Sequence, residues 1–281
     1  MPSQVWLVTG TSSGLGNEFV RAAVARGDKV IATARNADKI AHLKELGVVT
    51  MQLDVTAPQD ELDRKAEEAI AAYGRIDVLV NNAGYLQIGT VEESSHDVWF
   101  NQFNTNLFGT LNVTRSFLPH LRANRSGTIV FIGSKGAWES IPTVGTYCAS
   151  KAAIHSAAQS LSAEIAPFGI KTLLVEPGTV RTEVFSQQNM KTVPMKYEDY
   201  RGALGTLTGV FDGVYGNELG DARRSVENIL NVVKGENGTA GKEWPSSLLL
   251  GSDAVEVIRK KCQDVLRQVD EWEALSKSTD V

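Results

Sequence analysis

Tyr147 and Lys151 stand four residues apart in the stretch TYCASKAA, residues 146–153. Four residues are one helical turn, so in a helix the phenol and the ammonium share a face. A free tyrosine has a pKa of about 10, too high for acid–base work near neutrality. A lysine one turn away favours the phenolate and should lower that value. Six tyrosines and 14 lysines in 281 residues would give roughly 0.3 such pairs by chance, so the spacing needs support from the rest of the chain.

A second constellation lies near the N-terminus. TGTSSGLG (9–16) follows an apolar run and opens a helical pattern. Gly10, Gly14 and Gly16 can each meet a separate steric need: a tight turn, backbone approach to a pyrophosphate, and close helix–sheet contact. Amides at the helix N-terminus supply partial positive charge for phosphates, which points to a dinucleotide, with Ser12 and Leu15 in the same loop counted among its contacts. At the end of the next strand pattern, IATARN has Arg35 and Asn36 and no carboxylate. An acid there suits the ribose 2′-hydroxyl of NAD, whereas a guanidinium can bind a 2′-phosphate, so NADP(H) is expected over NAD(H).

These residues must be positioned by something regular. Short apolar runs at 4–9, 29–34, 48–54, 77–84, 127–134 and 170–178 alternate with helical patterns, among them 14–26, 58–73 and 94–121. That alternation predicts an α/β fold, a Rossmann-type doubly wound parallel sheet of about seven strands with helices on both faces. The regularity fails over about 183–246, which has nine glycines, until a helical stretch at 220–234. SLLLG (247–251) resembles a last strand, and the final segment an amphipathic helix whose RKK at 259–261 reads as a solvated face. One catalytic domain over 1–281 with a variable substrate loop is expected.

Composition agrees. Hydrophobic residues at 42% and charged residues at 22% suit a soluble globular chain. A net charge of −5 argues against nucleic acid as a partner, and no apolar run approaches bilayer length, so no membrane insertion is expected. The N-terminus lacks a basic-then-apolar leader, which makes the cytoplasm the expected compartment. Cys148 and Cys262 are far apart in sequence, and His42, His96, His120 and His155 follow no zinc spacing, so no metal site is expected.

With these motifs in order, the chain resembles a short-chain dehydrogenase/reductase of the single-domain subtype. The resemblance spans at least residues 4–182 through TGTSSGLG, LDVT (53–56), NNAG (81–84), NTNLFG around Asn106, FIGSKG around Ser134, YCASK (147–151) and PGTVRT (177–182). The flanking text is most similar to the 17β-hydroxysteroid-dehydrogenase-like and retinol-dehydrogenase-like branch. The resemblance implies that Tyr147 is the acid/base residue and Ser134 the donor to the substrate carbonyl. It further implies that Lys151 also binds the nicotinamide ribose and that Asn106 holds a water in a proton relay. Asp54 and Val55 should flank the adenine, and Asn81, Ala83 and Gly84 the adenosine ribose. Pro177, Gly178, Val180 and Thr182 should contact the nicotinamide. A homo-oligomer, dimer or tetramer, packed through the helices near 94–121 and 145–166 is also implied.

Two departures from the family pattern stand out. Lys135 follows Ser134 where many relatives have a small residue, and Trp138 lies where a ring could wall the substrate site. Candidate pocket residues are Tyr85, Leu86, Trp138, Val144, Phe185 and Met190, with Tyr200 and Phe211 further out, which suggests a fairly large apolar carbonyl compound or alcohol. The expected function is an NADPH-dependent carbonyl reductase. An NAD-dependent alcohol dehydrogenase, a sugar-nucleotide epimerase and a non-catalytic NADP(H) sensor are the alternatives.

Overall fold

The computed structural model describes residues 3–183, 190–203, 205 and 218–281. Seven strands form its central sheet: β1 (Val5–Val8), β2 (Lys29–Ala34), β3 (Val49–Gln52), β4 (Val78–Asn81), β5 (Gly127–Ile132), β6 (Ile170–Pro177) and β7 (Ser247–Leu250). All neighbours run parallel, in the order β7-β6-β5-β4-β1-β2-β3. The chain winds outward from β1 through β2 to β3, then returns to β4 beside β1 and winds the other way. Ligand crevices of such sheets open beyond the carboxyl ends of the strands, where the winding reverses.

Both faces of the sheet are covered, and β1 shows why its sequence is apolar throughout. Successive side chains of a strand point to opposite faces. Val5 and Leu7 therefore pack in one core with Leu62 and Ala66 of α2 (Gln59–Tyr73), Phe117 and Leu121 of α4 (Thr110–Asn124), and Ile154 of α5 (Gly145–Ile165). Trp6 and Val8 join the opposite core with Phe19 and Val20 of α1 (Gly14–Ala25) and Ile229 and Leu230 of α6 (Ala222–Lys234). A strand buried on both sides has no use for a polar residue.

The helical pattern over 94–121 is divided. An α-helix, α3 (His96–Phe103), passes into a π-turn at Asn104–Gly109 before α4 resumes. Between β2 and β3 the chain forms a 3₁₀ helix, Ala37–Leu46, capped by the Asn36 side chain, which accepts from the Asp38 amide at 2.9 Å. The last helix, α7 (Ser252–Lys277), is buried only near its start, at Ala254 and Ile258. Among the described residues no helix is long and apolar enough to cross a membrane.

Candidate active site

The first turn of α5 carries Tyr147, and Lys151 lies one turn on, as the spacing predicts. The Lys151 ammonium is 5.7 Å from the centre of the Tyr147 ring. It donates a 2.7 Å hydrogen bond to the Ile132 carbonyl at the end of β5. Ser134, two residues beyond that strand, is hydrogen-bonded to the Tyr147 phenol and accepts from the Gly136 amide at 3.0 Å. The strand end and the helix start thus bring the three side chains together.

Their protonation differs from the simplest expectation. Burial pushes the Tyr147 phenol up to about 12; the Ser134 hydrogen bond opposes the rise, and the neighbouring Cys148 adds to it. Burial also brings the Lys151 ammonium down to about 8. The helical spacing by itself predicts a phenol held below its ordinary value by the lysine. The low-dielectric site instead disfavours charge on both groups.

Asn106 sits in the π-turn, 2% exposed. Its amide donates at 3.2 Å to both the Tyr85 carbonyl and the Ser150 hydroxyl, while its oxygen accepts from the Tyr85 amide at 3.2 Å. Ser150 in turn donates to the Tyr147 carbonyl at 2.7 Å. Asn106 therefore braces the Tyr85 loop against the helix of Tyr147. π-turns within helices recur at functional sites because they re-aim one side chain.

The glycine loop is built as its spacing requires. Gly10 has φ +69°, and a Cβ there would lie 2.9 Å from the Ala83 Cα. A Cβ on Gly16 would lie 2.2 Å from the Gly10 carbonyl oxygen and 2.6 Å from the Asn82 amide nitrogen. Helix α1 thus starts in contact with the loop it caps, and the backbone stands clear for a phosphate. The Thr9 hydroxyl accepts from the Asn82 and Ala83 amides at 2.9 and 3.0 Å, which joins the ends of β1 and β4.

One cavity of about 710 Å³ connects these parts. Its walls include Arg35 and Asp54 at one end, Gly10, Ser12, Gly14 and Leu15 along the middle, and Ser134, Tyr147 and Lys151 at the other. Val55, Ala83, Gly84, Pro177, Gly178, Val180 and Thr182 also line it, as do Tyr85, Leu86 and Val144. The Asp54 carboxylate accepts from the Thr56 amide and hydroxyl at 2.9 and 2.7 Å, which closes the turn after β3. The cavity is therefore one continuous crevice from Arg35 to Tyr147, walled by the glycine loop and by polar side chains at both ends.

Several expected contacts lie elsewhere. Asn81 donates to Thr114 of α4 at 2.9 Å and is buried beneath the cavity, while Asn82 lines it. The pair follows strand alternation: consecutive residues face opposite ways, so only one of the two asparagines can face the crevice. Gly16 acts from below the loop, and Asn36 lies in a shallow side depression with Arg35, Asp38 and Gln52. Met190 pairs with Leu86 and packs on Ile88, Val144 and Cys148 behind the cavity wall. Phe185 and Phe211 fall outside the described residues, and Tyr200 donates to Glu92 at 2.5 Å, away from the cavity lining.

Trp138 is also absent from the lining. Its indole donates at 2.7 Å to Glu176, a carboxylate with no solvent exposure, and packs edge-on to His155 at 5.1 Å. His155 and Ser247 contact the same carboxylate. Trp138→Phe removes one donor from a buried acceptor and should cost about 1–3 kcal/mol of stability in urea unfolding, with KM unchanged. A raised KM at wild-type stability would return Trp138 to the substrate site.

Lys135 lines the cavity but does not point a free charge into it. Its ammonium lies 3.3 Å from Asp253 and 3.4 Å from Glu139. Burial works against ionisation of Asp253, but the Thr179 hydrogen bonds and the Lys135 charge outweigh it and hold the carboxyl below its usual range. Asp253 accepts from the Thr179 amide at 2.7 Å, and a Cβ on Gly178 would lie 1.9 Å from its Oδ1. Asp253 thereby fixes the turn after β6. Nothing in its local sequence marks that role, because its partner is 74 residues away.

Comparison with known proteins agrees with this architecture. The family model described as short chain dehydrogenase matches residues 4–192. An oxidoreductase of Botryotinia fuckeliana, BOA17, is 34% identical over 98% of both chains. The crystal structure of a short-chain dehydrogenase from Streptomyces avermitilis is similar over 99% of both chains, with a TM-score of 0.89 and 35% identity. A Burkholderia cenocepacia short-chain dehydrogenase in complex with NADP aligns at TM-score 0.73 and 26% identity, over 96% of this chain and 97% of that one. A Burkholderia phymatum structure in complex with NAD shares the fold at TM-score 0.81 and 22% identity over 95% of both. With its seven-stranded parallel sheet and the Ser134–Tyr147–Lys151 cluster at the crevice, the chain belongs to the short-chain dehydrogenase/reductase family of oxidoreductases.

Proposed function

We propose that this protein is an NADPH-dependent carbonyl reductase that converts a bulky, largely apolar ketone or aldehyde to its alcohol. The observation that carries this reading is the continuity of one cavity from Arg35, past the glycine loop, to Ser134, Tyr147 and Lys151. A dinucleotide along that path meets Arg35 with its 2′-phosphate and Tyr147 with its nicotinamide end, and when bound it supplies the hydride. The chain's own residues do the rest. Ser134 and Tyr147 present two hydroxyls to the carbonyl oxygen, stabilising the charge that develops there. With its pKa near 12 the phenol holds its proton at neutral pH, as a donor for reduction must. Lys151, with a pKa near 8, is mostly cationic at pH 7 and favours the phenolate left when that proton moves. Asn106 belongs to the relay that returns the proton.

Asp54 and Val55 flank the adenine in this reading, Asn82, Ala83 and Gly84 the adjoining ribose, and Pro177, Gly178, Val180 and Thr182 the nicotinamide. Tyr85, Leu86, Ile141 and Val144 give the substrate end an apolar wall, which supports a hydrophobic substrate body. A second reading, an NAD-dependent alcohol dehydrogenase, draws on Asp38, whose position in the Arg35 depression would disfavour a 2′-phosphate. Fluorescence titration with NADPH and NADH separates the two. Arg35→Asp should weaken NADPH binding by about 10- to 100-fold, because a charge-assisted contact is replaced by repulsion, and leave NADH binding unharmed. If NADPH preference survives the substitution, Arg35 does not read the phosphate.

A further inference from the structure

We infer that the C-terminal helix is a self-association element: α7 pairs antiparallel with α7 of a second copy of this chain. The inference stands independently of the proposed activity. Past Ile258, residues 259–277 continue as about 28 Å of helix at 1.5 Å per residue, every one of them exposed except the half-buried Asp264. Yet Val265, Leu266, Val269, Trp272 and Leu275 are apolar and between 42% and 63% exposed. An isolated surface helix would place polar groups there.

The spacing of these residues specifies a partner helix. Ile258, Cys262, Val265, Val269, Trp272 and Ser276 follow alternating steps of four and three, the a/d seam of a two-stranded coiled coil. Ile258, at 7% exposure, fastens the start of the seam to the body of the protein, and the remaining positions run free of it.

Charge and volume select the antiparallel orientation. In that arrangement a positions face d positions, so Val265 meets Val269 of the second copy and the large Trp272 meets the small Cys262. The layer pattern then places Arg259 beside Glu273 of the other copy, twice by symmetry, with the basic run Arg259–Lys260–Lys261 alongside the acidic Asp270, Glu271 and Glu273. A parallel pair would instead lay each basic run beside its twin and stack Trp272 on Trp272. The two-fold arrangement uses the same surface on both copies, as closed homodimers do.

Two measurements on the full chain test this. Val265→Glu/Val269→Glu should sediment at half the wild-type mass at micromolar concentration while keeping the wild-type far-ultraviolet circular dichroism spectrum, which reports an intact fold. Trp272→Cys under mild oxidation should form an interchain disulfide, which peptide mapping assigns to Cys262 of one copy and the introduced thiol of the other. A disulfide joining the two introduced thiols would establish parallel pairing and overturn the inference. Unchanged mass in the double variant would overturn it as well. Flotation of the wild type with phosphatidylcholine vesicles, lost in the double variant without any change in mass, would assign the stripe to lipid and equally refute it.

Discussion

Tyr147→Phe is expected to lower turnover by about 10²- to 10⁴-fold, the usual contribution of a positioned acid or base, while NADPH binds with near wild-type affinity. The substitution removes one oxygen and leaves the ring, so the packing of α5 on β5 persists. That oxygen is the group hydrogen-bonded to Ser134, on a ring whose centre lies 5.7 Å from the Lys151 ammonium. A measurement of kcat and of cofactor affinity on the same preparation is decisive. Turnover within a few-fold of wild type would remove Tyr147 from the chemistry, whatever the cofactor does. Loss of both turnover and NADPH binding would mean that the phenol supports the cofactor site and that its role as proton donor is unproven.

Gly16→Ala should damage the protein from the other end of the cavity. Its new Cβ would lie 2.2 Å from the Gly10 carbonyl oxygen, far inside contact distance, and the obstacle is backbone. Helix α1 cannot retreat, because Phe19, Val20 and Ala23 of the same helix have no solvent exposure and fill the core against the sheet. Overpacking of this kind costs about 1–3 kcal/mol or more. The strain falls on the turn between Gly10 and Gly14 and on the Asn82 amide, which donates to the Thr9 and Gly10 carbonyls at 2.9 and 3.0 Å. NADPH affinity should therefore drop at least tenfold, with a melting temperature lower by several degrees. Gly47→Ala serves as the control: it has φ +77° but no heavy atom within 4 Å of its added Cβ. It should lose only about 1–2 kcal/mol to backbone strain and bind NADPH normally. Equal affinity in the Gly16 variant and the wild-type protein would show that the glycine loop does not carry the cofactor's phosphates.

Much of this protein is determined by patterns that the chain carries locally. Apolar runs separated by helical stretches fix a parallel sheet, because a strand with helices on both sides must be apolar on both faces, as Val5–Val8 are. The glycine trio and the Tyr147–Lys151 pair are legible for the same reason. Each spans only a turn or two of chain, so spacing alone implies geometry.

Tertiary structure decided what depends on residues distant in sequence. It chose Asn82 over Asn81 for the crevice, since strand phase relative to the helices selects the face. It turned Trp138 away to Glu176 and neutralised Lys135 between Glu139 and Asp253, pairings that no local pattern encodes. It also reversed the expected direction of the Tyr147 pKa. The spacing of a lysine reveals a favourable charge, but the depth of burial sets the cost of ionisation, and burial is a property of the assembled fold.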